Sequence, residues 1–416
     1  MSERSQYNIS EFERDWPVHA SPNEHSRYVA EGIQRIESQL ILPGDDRWET
    51  AYGALAMGGA EASVLTEGDP GSGKTAFGNI VLGEVVRVDV ASTDVAETLD
   101  GYIRPTDGKF NPGKLQLDEA QKIYLNEISH LRDTGPLHKY WDGKTASTNG
   151  SSHDLENVAI YATTNFADGK RAKFIDSALR SRFGITVLAG DNAGEVARAL
   201  QGQDIADTRK AEAAKGGLLP PTKARKAIRE TLETRHRLSR QAKEYITDTI
   251  ENINDTELLL PISLSDRRIS QGWQQAVRAN RLVEGGIENV TPIKPEDLAK
   301  VAALSLGGLT SLNNATRSEL QEQLGTMKLS SIEQAIIVRR AISAVAFRSV
   351  LQQKDFVKQG EDERIGHFMD NYAYAQAPNG RINDVVVSQL DKSGSGNTQK
   401  AGDHGKKSRI FGRRSK

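Results

Sequence analysis

Eight consecutive residues in the segment GDPGSGKT have the types and the spacing needed to hold a chain of phosphates. A glycine-rich turn can aim successive backbone N–H groups inward at phosphate oxygens, and the lysine that follows it bridges the terminal phosphates. The threonine hydroxyl after the lysine is a Mg²⁺ ligand in such loops. The sequence therefore predicts a site for ATP and Mg²⁺ formed by Gly68, Asp69, Pro70, Gly71, Ser72, Gly73, Lys74 and Thr75.

The residues on either side of this loop fit the same interpretation. An apolar run, Ala62 to Glu67, predicts a strand before the loop, and TAFGNIVL predicts a helix after it. The N-terminus of that helix would present its partial positive charge to the same phosphates. A second GKT at Gly143–Thr145 has His138 where the first glycine is required, so we predict a loop there.

A second group of chemically active residues is expected at the end of another strand. In P-loop enzymes an Asp there holds the water shell of the metal, and the following Glu polarises the attacking water. The apolar run Ile123–Leu125 is followed by Asn126 and Glu127, so Glu127 is the candidate general base. Asn126, a candidate metal contact together with Thr75, keeps an acceptor oxygen but lacks the charge, which predicts weaker Mg²⁺ retention. Asp118–Glu119 is an alternative pair with no apolar run before it.

Asn165 is a candidate for the same site because it ends the apolar run VAIYATTN. Ligands bind at the carboxyl ends of the strands in open α/β sheets. The amide of Asn165 would then position the lytic water or contact the γ-phosphate. An ordinary turn residue is the alternative interpretation.

Hydrophobic periodicity divides the chain into a strand-rich half and a helical half. Strands are predicted at Ala62–Glu67 and from Val85, Lys122, Val158 and Gly184, which indicates a parallel α/β sheet with helices on both faces. A helix is predicted before them, at Tyr28–Leu40. After Gly190 the strand-like runs end, and helices are predicted at 221–235, 239–253, 266–283, 295–305 and, as one helical segment, about 315–372. Within that segment the stretch IEQAIIVRRAISAVAF is apolar around much of a helix, so we expect it to be buried.

These elements predict an order of domains. The order is an N-terminal polar and helical segment (1–45), an α/β nucleotide-binding domain (46–190), a linker (191–217), a helical lid (218–306), a helical C-terminal extension (307–390) and a disordered basic tail (391–416).

Composition narrows the classes of function. The net charge of −2 combines a tail with eight Lys or Arg against two Asp, and a body of 46 basic and 54 acidic residues that sums to −8. An acidic body makes a nucleic-acid partner an unfavoured hypothesis. Cysteine is absent, so disulfides and thiolate metal sites are excluded. No apolar run is long enough to span a membrane, no signal peptide is recognisable, and a cytoplasmic protein is expected.

With these residues in order, the chain resembles the MoxR family of AAA+ ATPases, most closely its RavA-like branch. The matching segments are GDPGSGKT, ETLDGYIRP, GKLQLDEAQKIYLNEI, ATTNFAD, ALRSRFG and LSDRRISQGWQQAV. They extend from about Ala62 to Leu306. The resemblance implies a P-loop AAA+ core with a parallel sheet, followed by an all-α lid. The family has Asp-Glu where this chain has Asn126-Glu127, a departure that bears on the rate of hydrolysis.

The resemblance also assigns roles to individual residues. Asn165 matches the first sensor, which contacts the γ-phosphate. Arg182 matches the arginine finger that reaches the ATP of a neighbouring subunit, with Arg180 close enough to be a rival. Arg267 matches the second sensor in the lid, and ATP would lie between the lid and the α/β domain. A guanidinium suits these roles because it offers planar, permanently charged donors to phosphate.

A finger that acts on a neighbour implies a closed ring, usually a hexamer in this family. Family members generally remodel or activate a partner protein, often one with a von Willebrand A domain. Tyr102, Tyr140 and Trp141 match regions that line the pore of such rings, although core packing is the alternative for all three. The leading hypothesis is a chaperone-like remodelling ATPase. The alternatives are a nucleotide-gated scaffold with little hydrolysis, suggested by Asn126, and a DNA-associated AAA+ protein.

Overall fold

The structure is a computed structural model of the 416-residue chain. It describes residues 16–17, 20–39, 46–83, 86–89, 122–130, 145–146, 152–153, 158–166, 175, 177–189, 217–255, 259–260, 267–324 and 329–353. Several predicted features lie outside these residues: the basic tail, the linker up to residue 216, Asp118, Glu119, Tyr102, Tyr140 and Trp141.

A five-stranded parallel sheet forms the centre of the α/β domain. The strands of the described chain are β1 (Val64–Gly68), β2 (Val86–Asp89), β3 (Lys122–Asn126), β4 (Thr145–Ala146), β5 (Ser152–His153), β6 (Ala159–Asn165), β7 (Ile185–Ala189), β8 (Leu259–Leu260) and β9 (Ser311–Leu312). The large sheet has the order β2-β3-β6-β1-β7, and each neighbouring pair is parallel. The predicted parallel α/β sheet is therefore confirmed.

The observed strands differ from the predicted ones in three places. β1 begins at Val64 rather than Ala62, because Ala60–Ala62 form a short 3-10 turn. Thr145 lies in β4, which pairs antiparallel with β5, so the predicted loop there is wrong at this residue. β8 and β9 form another antiparallel pair, so strands do not end after Gly190. Each of these extra strands has two residues, too few to produce a period-2 pattern.

The helices begin and end close to the predicted positions in the lid. They are α1 (Pro22–Gln39), α2 (Asp46–Met57), α3 (Lys74–Leu82), α4 (Ser177–Arg180), α5 (Thr222–Arg235), α6 (Arg240–Asp255), α7 (Arg267–Val283), α8 (Pro295–Leu306), α9 (Asn314–Leu324) and α10 (Ser331–Gln353). α1 begins earlier than expected because Ser21 and Glu24 form a capping box, in which the Ser21 N–H donates to Glu24 Oε2 at 2.7 Å. Sequence periodicity missed α2, because residues 50–59 are buried on every side and leave no polar face.

Most of the apolar C-terminal stretch is buried, as predicted. α10 packs against α8 and α6, and the Tyr245 hydroxyl of α6 donates to the Ala346 carbonyl at 2.6 Å. A second capping box, formed by Ser330 and Glu333, fixes the start of α10. The predicted single segment 315–372 is instead α9 followed by α10, with residues 354–372 outside the described chain. Every helix described is too short or too polar to cross a lipid bilayer.

The lid is attached to the flank of the sheet through α7. This helix lies along α2, where the Thr50 hydroxyl donates to Asn280 Oδ1 at 3.2 Å, and its N-terminal half meets the start of β7. Two glycines allow that meeting: a methyl group at Gly272 would lie 2.8 Å from the Gly184 Cα, and one at Gly184 would overlap the Glu61 carbonyl oxygen. Backbone therefore packs against backbone at this point, which fixes the lid relative to the sheet.

We expect Gly272→Ala to lower the free energy of unfolding despite its place inside a helix. The higher helix propensity of alanine would stabilise the fold by about 1 kcal/mol. Overlap with the Gly184 backbone would destabilise it by about 1–3 kcal/mol, because neither backbone segment can move easily. Urea denaturation of this variant beside Gln271→Ala, one residue earlier on α7, tests the balance. A Gly272→Ala protein more stable than Gln271→Ala would contradict the close approach.

Candidate active site

The predicted phosphate loop connects the end of β1 to the start of α3. β1 lies between β6 and β7, with Gly68 opposite Asn165 on one side and Ala189 on the other. Gly71 and Gly73 both have φ of +84°, a conformation that L side chains rarely adopt, and α3 starts at Lys74 immediately afterwards. The local geometry is the strand, glycine turn and helix that the motif requires.

Lys74 is buried, and its ammonium group is held by hydrogen bonds to the loop itself. Nζ donates to the carbonyl oxygens of Gly68 (2.9 Å) and Asp69 (2.6 Å) and to Ser72 Oγ (3.1 Å). Burial lowers the pKa of Lys74 to about 8, although the carboxylates of Asp69 and Glu127 oppose this shift. Phosphate oxygens in the loop would compete for the same three N–H donors and would favour the charged lysine.

The structure brings Glu127 and Asn165 together at the same edge of the sheet as the P-loop. β3 ends at Asn126, and the adjacent β6 ends at Asn165, whose Nδ2 donates to Glu127 Oε1 at 3.4 Å. Glu127 has a positive φ of 56° and is part-buried. A carboxylate in this position, beside an amide and close to Lys74, can accept a proton from a water molecule placed next to the γ-phosphate.

The residues present fit Mg²⁺ at Thr75 but not at Asn126. Thr75 is exposed on the first turn of α3, next to Lys74, so its hydroxyl is accessible to a metal carried by ATP. Asn126 Oδ1 already accepts hydrogen bonds from the Thr163 hydroxyl (2.9 Å) and the Tyr124 hydroxyl (3.2 Å). Both lone pairs of that oxygen are therefore used within the protein. In the described chain, His, Asp and Glu side chains form no cluster that would hold a metal alone.

Arg182 and Arg267, the two arginines assigned from the resemblance, lie at the opposite end of the sheet from the P-loop. The Arg182 carbonyl accepts a hydrogen bond at 3.0 Å from the hydroxyl of Ser63, the residue just before β1. The Arg182 side chain donates from Nη1 to the Ala178 carbonyl at 2.6 Å. Arg267 is exposed at the start of α7 and lines a cavity of about 300 Å³ with Glu61. The structure thus brings these two arginines to one region, but not to the ATP site of their own chain.

A buried ionic cluster that no sequence motif had marked lies next to the P-loop. Glu67 directly precedes Gly68. Its carboxylate contacts Arg180 Nη2 at 2.6 Å and Nη2 of Arg339, which lies on α10, at 3.1 Å. Burial alone would raise the pKa of Glu67, but the two guanidinium groups hold that pKa below its ordinary value. The available signals were charged residues inside apolar runs: Glu in VLTEG and Arg in IIVRRAIS.

This cluster bears on two expectations. Arg180 also donates to the Gly308 carbonyl at 2.5 Å, so its guanidinium is engaged within its own chain, which argues against Arg180 as the finger. α4, through Arg180, and α10, through Arg339, both reach the end of the P-loop strand, whereas the lid helix α7 meets the opposite end of the sheet. The expectation that ATP lies between the α/β domain and the lid stays a prediction, with α7 at the other end of the sheet from the P-loop.

Comparisons with known proteins identify the fold. The structure is similar to that of a candidate ATPase from Cytophaga hutchinsonii ATCC 33406, with a TM-score of 0.54 and 14% identity, covering 78% of this chain and 96% of that one. A second similarity is to a full-length MCM homologue from Methanopyrus kandleri, with a TM-score of 0.42 and 14% identity, covering 68% and 60% of the two chains. No protein-family profile and no curated protein matches by sequence.

The fold is that of an AAA+ P-loop ATPase. At 14% identity the comparison establishes the fold alone, because site residues and clients change freely on one scaffold. The MoxR assignment and the roles of individual residues therefore stay predictions.

The Glu67 cluster predicts a stability change that depends on pH. The folded pKa of Glu67 is below its unfolded value, so the carboxylate stabilises the fold above about pH 4.3 and the contribution is lost as pH falls through the lower folded pKa. We expect Glu67→Gln to lower the free energy of unfolding by about 3–5 kcal/mol at pH 7, because the buried guanidinium of Arg339 and the part-buried guanidinium of Arg180 lose their counter-charge. Below about pH 4 the difference from the unaltered protein should shrink.

Urea denaturation between pH 3.5 and pH 7 measures this effect, with Glu251→Gln as the control because Glu251 is exposed on α6. A Glu67→Gln variant as stable as the Glu251→Gln variant at pH 7 would show that the cluster contributes little.

Proposed function

We propose that this protein is a Mg²⁺-dependent ATP hydrolase of the MoxR type that works in a ring. The observation that carries the proposal is the convergence of Lys74, Glu127 and Asn165 at the carboxyl edge of the sheet, where β1, β3 and β6 end. Each group has the chemistry that phosphoryl transfer to water needs: a cation for the phosphates, a base for the water and an amide to orient it.

The reaction follows from what these side chains can do. Lys74 neutralises charge on the phosphates as the bond to the γ-phosphorus breaks. Glu127 accepts a proton from the attacking water, and Asn165 holds that carboxylate or the water in place through its Nδ2 donor. Mg²⁺ bound at the Thr75 hydroxyl would supply further charge neutralisation on the phosphates.

The positions of the arginines support assembly into a ring. Arg182 and Arg267 lie at the end of the sheet away from the P-loop of their own chain, which supports a role at the ATP of another copy. A contact that joins one end of a subunit to the other end of its neighbour is heterologous, and it closes into a ring when the rotation allows. We propose that Arg182 is the finger and Arg267 the second sensor in this contact, with a hexamer as the expected ring.

We extend the proposal to a chaperone-like role on a partner protein, as the resemblance implies, with a von Willebrand A domain protein as the first candidate, and to a cytoplasmic location, as the composition suggests. Hydrolysis would drive such a client only if ATP and ADP favour different arrangements of the subunits.

A nucleotide-gated scaffold with little hydrolysis is the second candidate, and Asn126 is the specific observation that favours it. Without a carboxylate at this position the chain has one charge fewer to retain Mg²⁺ near the β-phosphate. Both candidates require ATP binding at Lys74, and they differ in turnover.

We expect purified protein to hydrolyse ATP with Mg²⁺, and we expect Lys74→Ala to abolish turnover by removing the phosphate cation. Glu127→Gln should keep ATP binding while lowering kcat by about 10²–10⁴-fold, the usual contribution of a general base. A phosphate-release assay and equilibrium binding of a fluorescent ATP analogue measure the two quantities. Tight binding with no turnover in the unaltered protein would favour the scaffold.

Mixing two inactive variants tests the ring. Lys74→Ala subunits retain Arg182, and Arg182→Ala subunits retain the P-loop, so about a quarter of the interfaces in randomly mixed rings should be complete. We expect ATPase activity to reappear on mixing. A mixture of Lys74→Ala with Glu127→Gln is the matched control, because every site in it is broken within its own chain. No recovery in rings shown by mass to contain both variants would contradict an arginine that acts on the neighbour.

A further inference from the structure

The backbone at the candidate general base has an unusual conformation. Among the described non-glycine residues, Glu127 alone has a positive φ, 56°. L residues disfavour this left-handed region, so the surrounding structure must hold the chain there. One contact that holds it is a hydrogen bond from the Glu127 N–H to the Thr163 hydroxyl oxygen, 3.2 Å long.

The Thr163 hydroxyl is itself fixed by Asn126. It donates to Asn126 Oδ1 at 2.9 Å, so its oxygen is free to accept from Glu127. The Tyr124 hydroxyl donates to the same Oδ1 at 3.2 Å and keeps the Asn126 amide in place. Thr163 and Tyr124 are 2% and 0% exposed, which shields these bonds from competition with water.

This network continues to the phosphate loop. The Tyr124 ring packs on the Tyr161 ring with centroids 5.3 Å apart, and the Tyr161 hydroxyl donates to the Lys74 carbonyl at 2.8 Å. The base at the end of β3 and the first residue of α3 are therefore held by one connected set of buried contacts.

We propose that Thr163 is a positioning residue for Glu127, and that Asn126 serves the reaction through Thr163 rather than by binding Mg²⁺. This inference rests on the proposed ATPase function and deepens it. The Thr163 hydroxyl receives the Glu127 N–H, holds the backbone at positive φ, and so aims the carboxylate at the edge where the P-loop lies. Asn126 orients that hydroxyl and has no lone pair left on Oδ1 for a metal.

The proposal accounts for Asn at a position where the resembled family has Asp. An oxygen whose task is to accept two hydrogen bonds from neutral hydroxyl groups does not need a negative charge. An amide supplies that acceptor without placing an additional carboxylate next to Glu127.

Three variants on β6 test the role of the Thr163 hydroxyl. Thr163→Val keeps the shape and removes the hydroxyl, and Thr163→Ser keeps the hydroxyl. Thr164→Val is the matched control, since Thr164 is also buried and its hydroxyl contacts only the Asn165 carbonyl at 3.3 Å among the bonds described for it.

We expect Thr163→Val to lower kcat by about 10- to 100-fold, because a misplaced base loses most of its effect, while the dissociation constant for ATP stays within about twofold. Thr163→Ser should retain kcat within about threefold, and Thr164→Val should resemble the unaltered protein. Asn126→Leu should lower kcat without changing the Mg²⁺ concentration that gives half-maximal turnover.

A second readout does not depend on activity. Hydrogen–deuterium exchange at the Glu127 amide, resolved by mass spectrometry of overlapping peptides, should be at least about tenfold faster in Thr163→Val and unchanged in Thr163→Ser and Thr164→Val. If the unaltered protein hydrolyses no ATP, the proposed function fails, and this exchange rate still decides whether Thr163 holds Glu127.

Two results would overturn the proposal. One is a Thr163→Val protein whose Glu127 amide exchanges no faster than that of Thr164→Val. The other is an Asn126→Leu protein in which the half-saturating Mg²⁺ concentration rises about tenfold while the Glu127 amide stays protected, since that would make Asn126 a metal contact.

Discussion

The position of β1 between β6 and β7 is the constraint on which the site depends. Parallel hydrogen bonding in this register places Gly68, where the phosphate loop starts, beside Asn165 of β6 and Ala189 of β7. Because β3 adjoins β6, Glu127 then reaches the same edge. Because the strands are parallel, their carboxyl ends lie at one edge of the sheet, which brings together residues as distant in sequence as Gly68 and Asn165.

A buried charge cluster ties this edge to parts of the chain that follow it by more than a hundred residues. Glu67 is the residue of β1 just before Gly68, and its negative charge is neutralised by Arg180, which precedes β7, and by Arg339 of α10. The C-terminal extension is therefore part of the support of the P-loop strand rather than an appendage. A partner that displaced α10 would expose a carboxylate directly before Gly68, so this helix offers a physical link between the C-terminal region and the nucleotide.

Asn126 stands where the resembled family has Asp, and this difference has two interpretations with opposite consequences for the rate of ATP hydrolysis. A lost metal contact would slow hydrolysis, whereas an amide that orients Thr163 would sustain it. In the proposed role, the hydrogen bonds of 2.9 and 3.2 Å into Asn126 Oδ1 need an acceptor oxygen and no charge to hold Glu127 through Thr163. In both cases Arg182 and Arg267 lie at the other end of the sheet from the P-loop of their own chain.

The sequence by itself determined the features that are encoded locally. The GDPGSGKT loop, the strands around it and the lid helices were all predictable, because glycine conformations and hydrophobic periods are properties of short segments. The buried α2 and the two-residue strands were not, since the first has no polar face and the others have no period.

Only the tertiary structure decided which charged and polar groups meet. The pairing of Glu67 with Arg339, the occupation of Asn126 Oδ1, and the placement of Arg267 away from its own P-loop all arise from segments distant in sequence. Such contacts depend on strand order and helix packing, which fix distances that no local pattern carries.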